Sequence, residues 1–415
     1  MRAPPIQKDN LMKILFVHQN FPGQYRALAP AVKAAGHEVM AISSRKETDL
    51  GGVSNVTYEI KRSSSKSIHP WLVTTESAVI RGEAVHGVVS NLSKNGWTPD
   101  VVVGHCGWGE MLFMREALPH ARLLGFCEYY YLGQGSDVNF DPEFPSAADA
   151  PERCHARNMH LTESLLSCDW GVAPTHWQAD LFPDNLRSRI KVIHDGIETD
   201  RLIPDDNAWI ELWRDKVKLK KGDEVVTFIN RNLEPMRGYH QFMRALPEIM
   251  ARRPNARIVI VGGDKVSYGS PPPNASGYKE IFLNEVRERL DMSRIHFVSH
   301  VPYPTLVKLL CISAAHVYFT YPFVLSWSML EAMSLEALVI GSDTPPVREV
   351  IKHGENGLLV DFFSPKKLAD TVCAALQNPE EYIPMRKAAR KTVVERYDFR
   401  NVCLPEHMRL LAGNP

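Results

Sequence analysis

Short apolar runs alternate with longer amphipathic stretches along this chain, and the alternation predicts strands that take turns with helices. Residues 11–18 are almost continuously apolar, a Pro22-Gly23 turn follows, and a helical pattern ends near Gly36 before a second apolar run at 37–42. Apolar runs of this length, bounded by turn residues, are typical of buried parallel strands. A β-loop-α-β opening of this kind begins a doubly wound α/β sheet, whose ligands bind at the carboxyl ends of its strands.

The same alternation continues almost to the end of the chain. Residues 201–222 interrupt it, because they combine Pro204, two tryptophans and a lysine-rich tail, and they are predicted to link two sheets. Length alone, at 415 residues, favours two or three domains. Further strands are predicted at residues 100–104, 122–127, 170–173, 224–230, 258–263, 295–298, 315–319 and 338–340.

The composition excludes several classes of protein. Forty-eight basic and 48 acidic side chains give a formal net charge of zero, which argues against a nucleic-acid partner and against a chain-wide field that attracts membranes. Seven scattered cysteines without a C-x-x-C pair indicate reduced, intracellular usage. No run approaches about 18 uninterrupted apolar residues, and no signal-peptide core is present. We therefore expect a cytoplasmic protein, and a peripheral contact at the inner face of the membrane stays open.

Residues 321–337, which read YPFVLSWSMLEAMSLEA, lie between two of the predicted strands. Ser326 or Ser328 can cap a helix in this stretch, and Glu331 lies in its early turns. A strand, a tight loop and a helix N-terminus form an anion site, because the first backbone N–H groups are free and the helix dipole favours negative charge. The stretch therefore predicts binding of a phosphorylated compound.

Two arginines precede another predicted helix. Arg231 and Arg237 are six residues apart on a predicted loop, where two guanidinium groups can clamp a diphosphate. As solvated charges they would be unremarkable. In the first half, His105 ends a predicted strand, and it is equally well explained as a histidine satisfied by neighbouring groups or as a functional one. Glu128 and Tyr130 begin a long loop that can contact a sugar-like acceptor, or whose tyrosines can simply pack.

The order and spacing of these motifs resemble the retaining GT-B glycosyltransferases of family four. The resemblance extends from about residue 12 to about residue 397 and is strongest between residues 231 and 357. It implies two doubly wound, Rossmann-like domains facing a central cleft. The expected bounds are residues 1–200 for the acceptor-side domain, 201–222 for the linker, 223–395 for the nucleotide-sugar domain and 396–415 for a helix packing back on the first domain.

The resemblance assigns roles to residues of the donor site. Glu331 would hold the nucleotide ribose, and Arg231 and Arg237 would stabilise the diphosphate. In the family, a second glutamate lies eight positions before the residue that corresponds to Glu331, and this chain has Phe323 there. The backbone of the turn after residue 298 would contact the base. The expected donor-binding residues are Glu331, Phe323, Val324, Leu325, Ser326, His300 and Val301.

In the first domain, the resemblance places His105 beside the anomeric carbon and makes it a catalytic residue together with the two arginines. It also makes the loop after the first strand part of the acceptor side. The candidate acceptor-side residues are Pro22, Gly23, Gln24, Glu128 and Tyr130.

The implied activity is transfer of a sugar, with retention of configuration, from a UDP- or GDP-sugar to a saccharide or lipid-linked acceptor in polysaccharide or glycoconjugate synthesis. No resident cofactor is expected, and no H-E-x-x-H motif, D-x-D-like carboxylate pair or cysteine cluster predicts a metal site. Two alternatives stay open. Phe323 favours a catalytically silent nucleotide-sugar-binding subunit, and a sugar-nucleotide epimerase or hydrolase can use the same fold.

Overall fold

The structure, a computed structural model, describes residues 11–46, 50–212 and 216–414 and divides into two compact units. Each unit contains its own parallel sheet, as the apolar pattern predicts. The first unit comprises Met1–Val138, Ser146–Gly196 and Phe399–Pro415, and the second comprises Asn139–Pro145 and Ile197–Asp398.

The sheet of the first unit has seven parallel strands in the order β3-β2-β1-β4-β5-β6-β7. These strands are β1 (Lys13–Val17), β2 (Glu38–Ser43), β3 (Ser54–Thr57), β4 (Val101–His105), β5 (Arg122–Phe126), β6 (Trp170–Ala173) and β7 (Ile190–Val192). The helices are α1 (Leu28–Ala34), α2 (Val73–Lys94), α3 (Met114–Ala117), α4 (Ala150–Ser167), α5 (His176–Asp180) and α6 (Asp184–Arg187).

Strand β1 shows why these runs are apolar throughout. Leu15 and Val17 belong to one buried cluster of the first unit, whereas Ile14 and Phe16 belong to another. Successive side chains of a strand point to opposite faces, so both faces of this sheet are covered. The strand order reverses between β1 and β4, which makes the carboxyl ends of these two strands a topological switch point, the usual place for a ligand.

The sheet of the second unit has six parallel strands in the order β12-β11-β10-β13-β14-β15, with its switch point between β10 and β13. The strands of this unit are β8 (Trp209–Leu212), β9 (Val217–Lys220), β10 (Val225–Asn232), β11 (Arg257–Gly263), β12 (Ile295–Val298), β13 (Ala315–Tyr318), β14 (Val339–Ser342) and β15 (Leu358–Val360). The helices are α7 (Tyr239–Arg252), α8 (Lys279–Val286), α9 (Tyr303–Ile312), α10 (Trp327–Ser334), α11 (Pro345–Arg348), α12 (Pro365–Gln377) and α13 (Ile383–Tyr397).

Residues 201–222, predicted to be a linker, are instead part of the second unit. They contain β8 and β9, which pair in antiparallel fashion as a separate two-stranded sheet. Ile210 and Leu219 are buried in the hydrophobic core of that unit. The second unit therefore begins at Ile197 rather than at residue 223, because this segment supplies core side chains.

The C-terminus belongs to the first unit from Phe399 onward, three residues after the predicted boundary at 396. A short π-helical turn, Phe399–Cys403, leads into α14 (Leu404–Leu411). Leu410 and Leu411 are buried in the same cluster as part of β1, and the Leu411 carbonyl accepts a hydrogen bond from Arg122 Nη1 at 2.5 Å. Within the described ranges, no helix is long and apolar enough to cross a membrane.

Candidate active site

Two histidines meet at the switch point of the first unit. His18 directly follows β1, and His105 is the last residue of β4. Their ring centroids lie 5.8 Å apart, and only 3% and 2% of the two residues is exposed. The strand order therefore brings together two residues that are 87 positions apart in the sequence.

The hydrogen bonds of His18 define its tautomer. Its Nδ1 accepts a hydrogen bond from the backbone N–H of Asn20 at 2.9 Å, so the proton lies on Nε2. This Nε2 donates to Gln24 Oε1 at 2.6 Å. Burial, together with the neighbouring His105, lowers the pKa of His18 to about 3. His18 is consequently a neutral donor that orients the side chain of Gln24.

His105 has the same tautomer. Its Nδ1 accepts from the Gly107 N–H at 2.8 Å, which leaves Nε2 to donate to Glu128 Oε2 at 3.3 Å. The ring stacks on Trp108, with centroids 3.8 Å apart and planes 6° from parallel. A separation of 3.3 Å is long for such a hydrogen bond, so the Nε2–H group can redirect its hydrogen bond to a ligand at small cost.

Glu128 connects the two halves of this network. Its Oε1 accepts from Gln24 Nε2 at 3.1 Å, and its backbone carbonyl accepts from Gln178 Nε2 at 2.6 Å. Burial alone would raise the pKa of this carboxyl group, but hydrogen bonding to His105, the two nearby imidazoles and Gln24 hold the pKa of Glu128 below its ordinary value. With 31% of its side chain exposed, Glu128 can accept a further hydrogen bond from a ligand hydroxyl.

The glycine loop after β1 is shaped around His18. Gly23 has φ of +46°, and a Cβ atom added there would lie 2.3 Å from the His18 ring. Pro22 caps the short turn that Gly23 begins. The predicted loop residues thus reach the histidines through Gln24. Tyr130 does not join them by any of these contacts, and its ring instead packs on Phe182 at 5.0 Å.

In the second unit, the two predicted arginines differ in environment. Arg231 is not on a loop but near the end of β10, where it is exposed. Arg237 lies in the turn before α7 and is only 5% exposed. Its Nη1 donates to Thr320 Oγ1 at 2.8 Å and to the Val324 carbonyl at 3.0 Å. Arg237 therefore fixes the loop between β13 and α10, which we call the donor loop (residues 319–325).

Aromatic side chains flank the buried guanidinium. Arg237 Cζ lies 5.0 Å from the ring centroid of Tyr268 and 5.6 Å from that of Phe323, and these two rings are 5.0 Å apart. The carboxylate of Glu234, 1% exposed, accepts hydrogen bonds from the backbone N–H groups of residues 267–269 and so positions Tyr268. Phe323 is thus buried beside the Arg237 guanidinium, at the position where the family that this sequence resembles has a glutamate.

Helix α10 begins as predicted. Ser326 caps it by accepting from the Ser328 N–H at 3.4 Å, and the Ser326 N–H donates to the Tyr318 hydroxyl at 2.8 Å. Glu331 is 7% exposed, and its Oε1 accepts from the hydroxyl of Tyr303, the first residue of α9, at 2.8 Å. A fixed carboxylate therefore lies one turn inside a helix whose capped N-terminus favours anions.

The other predicted donor-site residues contribute less through their side chains. His300 is exposed immediately before α9. Val301 is half-buried against the core of the second unit, and Leu325 is part of that core. Only the backbone groups of Val301 and Leu325 are suited to bind a polar ligand, as the resemblance implies for the turn at 300–302.

One group among the described residues has the atom types and spacing to hold a metal ion. Ligand atoms of Asp141, Glu143 and His240 lie within 4.8 Å of one another. Both carboxylate oxygens of Glu143, however, accept hydrogen bonds from Arg244, at 2.6 and 2.8 Å, and Asp141 Oδ2 accepts one from Tyr321. A metal ion would have to displace a guanidinium, so these residues do not fit a metal site.

Several residues of both sites have no sequence-based prediction. The sequence does contain a signal for His18 as a site residue. It ends the first apolar run, and in a doubly wound sheet ligands bind at the carboxyl ends of such strands. The others occupy their places through tertiary contacts alone. They are Trp108, Glu234, Tyr268, Tyr303 and Thr320.

Two family models match the chain. Residues 35–202 match the model described as Glycosyl transferase family 4 group, and residues 210–392 match the model described as Glycosyl transferases group 1. The two matches fall on the first and the second sheet respectively, and they exclude β1 and His18, which follows it.

Curated relatives are similar over part of their length. D-inositol 3-phosphate glycosyltransferase of Corynebacterium efficiens is 27% identical over 216 residues, which are 52% of this chain and 47% of the relative. D-inositol 3-phosphate glycosyltransferase 2 of Catenulispora acidiphila is 24% identical over 320 residues, 73% of this chain and 66% of the relative. The chain thus spans about half the length of the first relative.

Solved structures agree with the fold over nearly the whole chain. Sucrose-phosphate synthase from Thermosynechococcus elongatus superposes with a TM-score of 0.71 at 17% identity, over 97% of this chain and 99% of that one. HepE of Anabaena, solved in complex with UDP and glucose, superposes with a TM-score of 0.66 at 15% identity, over 97% and 100%. At these identities, the likeness establishes the fold.

Proposed function

We propose, since this chain belongs to the glycosyltransferase family 4 group and has the GT-B type of fold, that it moves a sugar from a nucleotide-diphosphate sugar to a hydroxyl acceptor with retention of configuration. The observation that supports this most is the buried Arg237 bound to the donor loop at the second switch point. A cation held there, next to the capped N-terminus of α10, suits a diphosphate.

The chemistry follows from where charge develops. Departure of the nucleoside diphosphate places negative charge on the β-phosphate, and fixed donors stabilise developing charge more than mobile ones do. Arg237 and the N-terminus of α10 supply such donors, and the exposed Arg231 adds a second cation at the end of β10. Since these groups can neutralise the diphosphate, we propose that the enzyme needs no resident metal ion.

We assign the contacts of the ribose and of the donor sugar hydroxyl to residues of the second unit. Glu331 would accept hydrogen bonds from the ribose hydroxyls, held in place by Tyr303. Phe323 cannot hydrogen-bond a sugar hydroxyl, so the backbone near Val324 and Leu325 would take over that contact. In the first unit, His105 would donate to the sugar through Nε2, and Glu128 would bind the acceptor.

A saccharide and a lipid-linked acceptor are both compatible with these groups. For a lipid-linked acceptor, the first unit has an exposed segment before α2 with both basic and apolar side chains. Ile60 and Val73 are 46% and 44% exposed, and Lys61 and Lys66 are exposed between them. We propose this segment as the place of a peripheral contact with anionic lipid.

The proposal is tested by incubating the protein with a panel of UDP- and GDP-sugars, with and without EDTA. Saccharide acceptors are supplied in solution, and lipid acceptors in neutral or anionic vesicles. We expect nucleoside diphosphate to be released only when an acceptor is present, and the sugar to appear on that acceptor whether or not EDTA is added. Turnover that fails in EDTA and returns with magnesium would contradict the metal-independent mechanism.

The same panel separates the alternatives. Release without an acceptor would identify a hydrolase, and a new nucleotide sugar without release would identify an epimerase. Phe323, in place of the family's glutamate, favours a second candidate function, a nucleotide-sugar-binding subunit without turnover. Binding of UDP or GDP without turnover of any donor would support that candidate. Equal binding of the protein to neutral and anionic vesicles would contradict the proposed role of this segment.

Glu331→Gln is expected to weaken binding of the free nucleoside diphosphate about tenfold. An amide keeps one acceptor oxygen for Tyr303 but loses the charge and the second acceptor that two ribose hydroxyls require, a difference of roughly 1.4 kcal/mol. Isothermal calorimetry with UDP and GDP measures this. Glu336→Gln, beyond the other end of α10, is the matched control and should bind like the wild type. Unchanged affinity in Glu331→Gln would remove this residue from the ribose.

A further inference from the structure

A seven-residue segment, Asn139–Pro145, belongs to the second unit although the chain before and after it belongs to the first. Its first aromatic residue, Phe140, packs among three rings of the second unit. The centroid distances are 5.0 Å to Tyr321, 5.3 Å to Phe362 and 5.1 Å to Phe363. An aromatic side chain with three ring neighbours is a firm anchor for so short a segment.

The other end of the segment is anchored as well. Phe144 packs against His240 and Phe282 at 5.4 and 6.1 Å. Glu143 forms a bidentate ion pair with Arg244, at 2.6 and 2.8 Å. The paired fork geometry fixes orientation as well as distance.

Between these anchors, Asp141 is buried, with 2% of the residue exposed. Its Oδ2 accepts from the Tyr321 hydroxyl at 2.8 Å and lies 3.0 Å from His240 Nε2, and its Oδ1 accepts from the Glu143 N–H at 3.0 Å. A carboxylate is costly to bury unless its lone pairs are satisfied. Here the satisfied carboxylate holds one side chain of the donor loop, that of Tyr321.

The donor loop is consequently held from two directions. Arg237 binds it through Thr320 and Val324, and the Tyr321 N–H donates to the Met236 carbonyl at 2.9 Å. Asp141 binds the same loop through the Tyr321 hydroxyl. The loop therefore depends for its position both on the turn before α7 and on a segment that is remote in sequence.

We propose that Asp141 is a positioning residue for nucleotide-sugar binding, which acts through Tyr321 to hold the donor loop in its ligand-binding conformation. The inference rests on the proposed function, because it names the group that sets the affinity of that site for a nucleoside diphosphate. Preorganising a loop in its bound conformation increases affinity by reducing the ordering cost of binding.

The test is calorimetric titration of the 415-residue chain with UDP and GDP, alongside donor kinetics and thermal unfolding. Tyr321→Phe removes one hydroxyl group and Asp141→Ala removes its partner. We expect each to weaken nucleotide affinity and raise the donor KM about five- to tenfold, with kcat changed less than twofold. Because both act through one contact, the double variant should lose no more affinity than Asp141→Ala alone.

Glu280→Gln is the control, since it removes an exposed carboxylate that pairs with Arg287 on the surface of the same unit. It should bind nucleotide like the wild type. Equal weakening in Glu280→Gln, or unchanged affinity in a folded Tyr321→Phe, would overturn the inference and leave the proposed function standing. Loss of affinity in wild type treated with EDTA would overturn it in favour of a metal site. A wild type that binds neither UDP nor GDP would contradict the proposed function itself.

Discussion

Replacing Arg237 by alanine is expected to lower kcat/KM for sugar transfer about a hundredfold, because it removes a fixed donor from a developing negative charge, worth roughly 3 kcal/mol. The structure adds a second reason. The buried Thr320 hydroxyl and the Val324 carbonyl lose their common partner, so the position of the donor loop then depends on its contacts through Tyr321. We therefore expect a lower melting temperature with a preserved fold. Steady-state kinetics measures the loss of kcat/KM, and thermal unfolding measures the change in melting temperature.

Two further variants separate charge from positioning. Arg231→Ala removes an exposed cation and should lower turnover strongly while leaving the melting temperature unchanged. Arg257→Ala, at the amino end of β11 in the same sheet, removes a half-buried arginine that donates to the Ser293 carbonyl, and it should leave turnover unchanged. Near-wild-type turnover in Arg237→Ala would refute the diphosphate assignment, whatever its effect on stability.

Replacing Glu128 by alanine is expected to lower kcat about a hundredfold, because removing one preorganised hydrogen-bonding group from a reacting centre typically costs about that much. Without it, His105 Nε2 and Gln24 Nε2 lose their common acceptor, and the ligand hydroxyl loses its own. Glu128→Gln keeps an acceptor for His105 and should retain more activity than the alanine variant. Glu152→Ala, an exposed glutamate on α4, is the control in the same unit.

The pH dependence has a definite sign. Hydrogen bonding to His105 and Gln24 and the nearby imidazoles outweigh burial and place the pKa of Glu128 below its ordinary value. The ionised form, and the activity that depends on it, should persist below the pH at which an ordinary glutamate protonates, and be lost only as pH falls through the lowered pKa. Glu128→Gln should lack that acid limb in its kcat profile. An identical acid limb in both proteins would exclude Glu128 as its source.

Much of the fold could be predicted because doubly covered parallel strands read as unbroken apolar runs, as in Ile14 to Val17 of β1. The strands β8 and β9 and the helix α9 are among the elements without a sequence-based prediction, for different reasons. The strands β8 and β9 alternate exposed and buried residues over only four positions each, so they look like a charged linker. Helix α9 opens with Tyr303 and Pro304 directly after a turn, so its apolar positions alone do not predict a helix.

The site was predictable where chemistry follows a strand end, and not where it depends on packing. His105 is the last residue of β4 and Arg231 the last but one of β10, and both strands border a switch point. The burial of Arg237 has no sequence signal, because arginines are usually exposed and its partners lie 83 and 87 residues away. The sequence likewise predicts Glu128 as an acceptor-side residue, but not that its carboxylate accepts hydrogen bonds from both Gln24 and His105, because those contacts are tertiary.

The path of the chain also limits how this protein can be dissected. The backbone passes from one unit to the other four times, after residues 138, 145, 196 and 398. No single cut in the gene therefore yields two complete domains, since a fragment ending at 196 would lack the C-terminal helix that fills its own core. A chimaera that exchanges the first unit with that of a relative must transplant three separate stretches together and leave Asn139–Pro145 with its host.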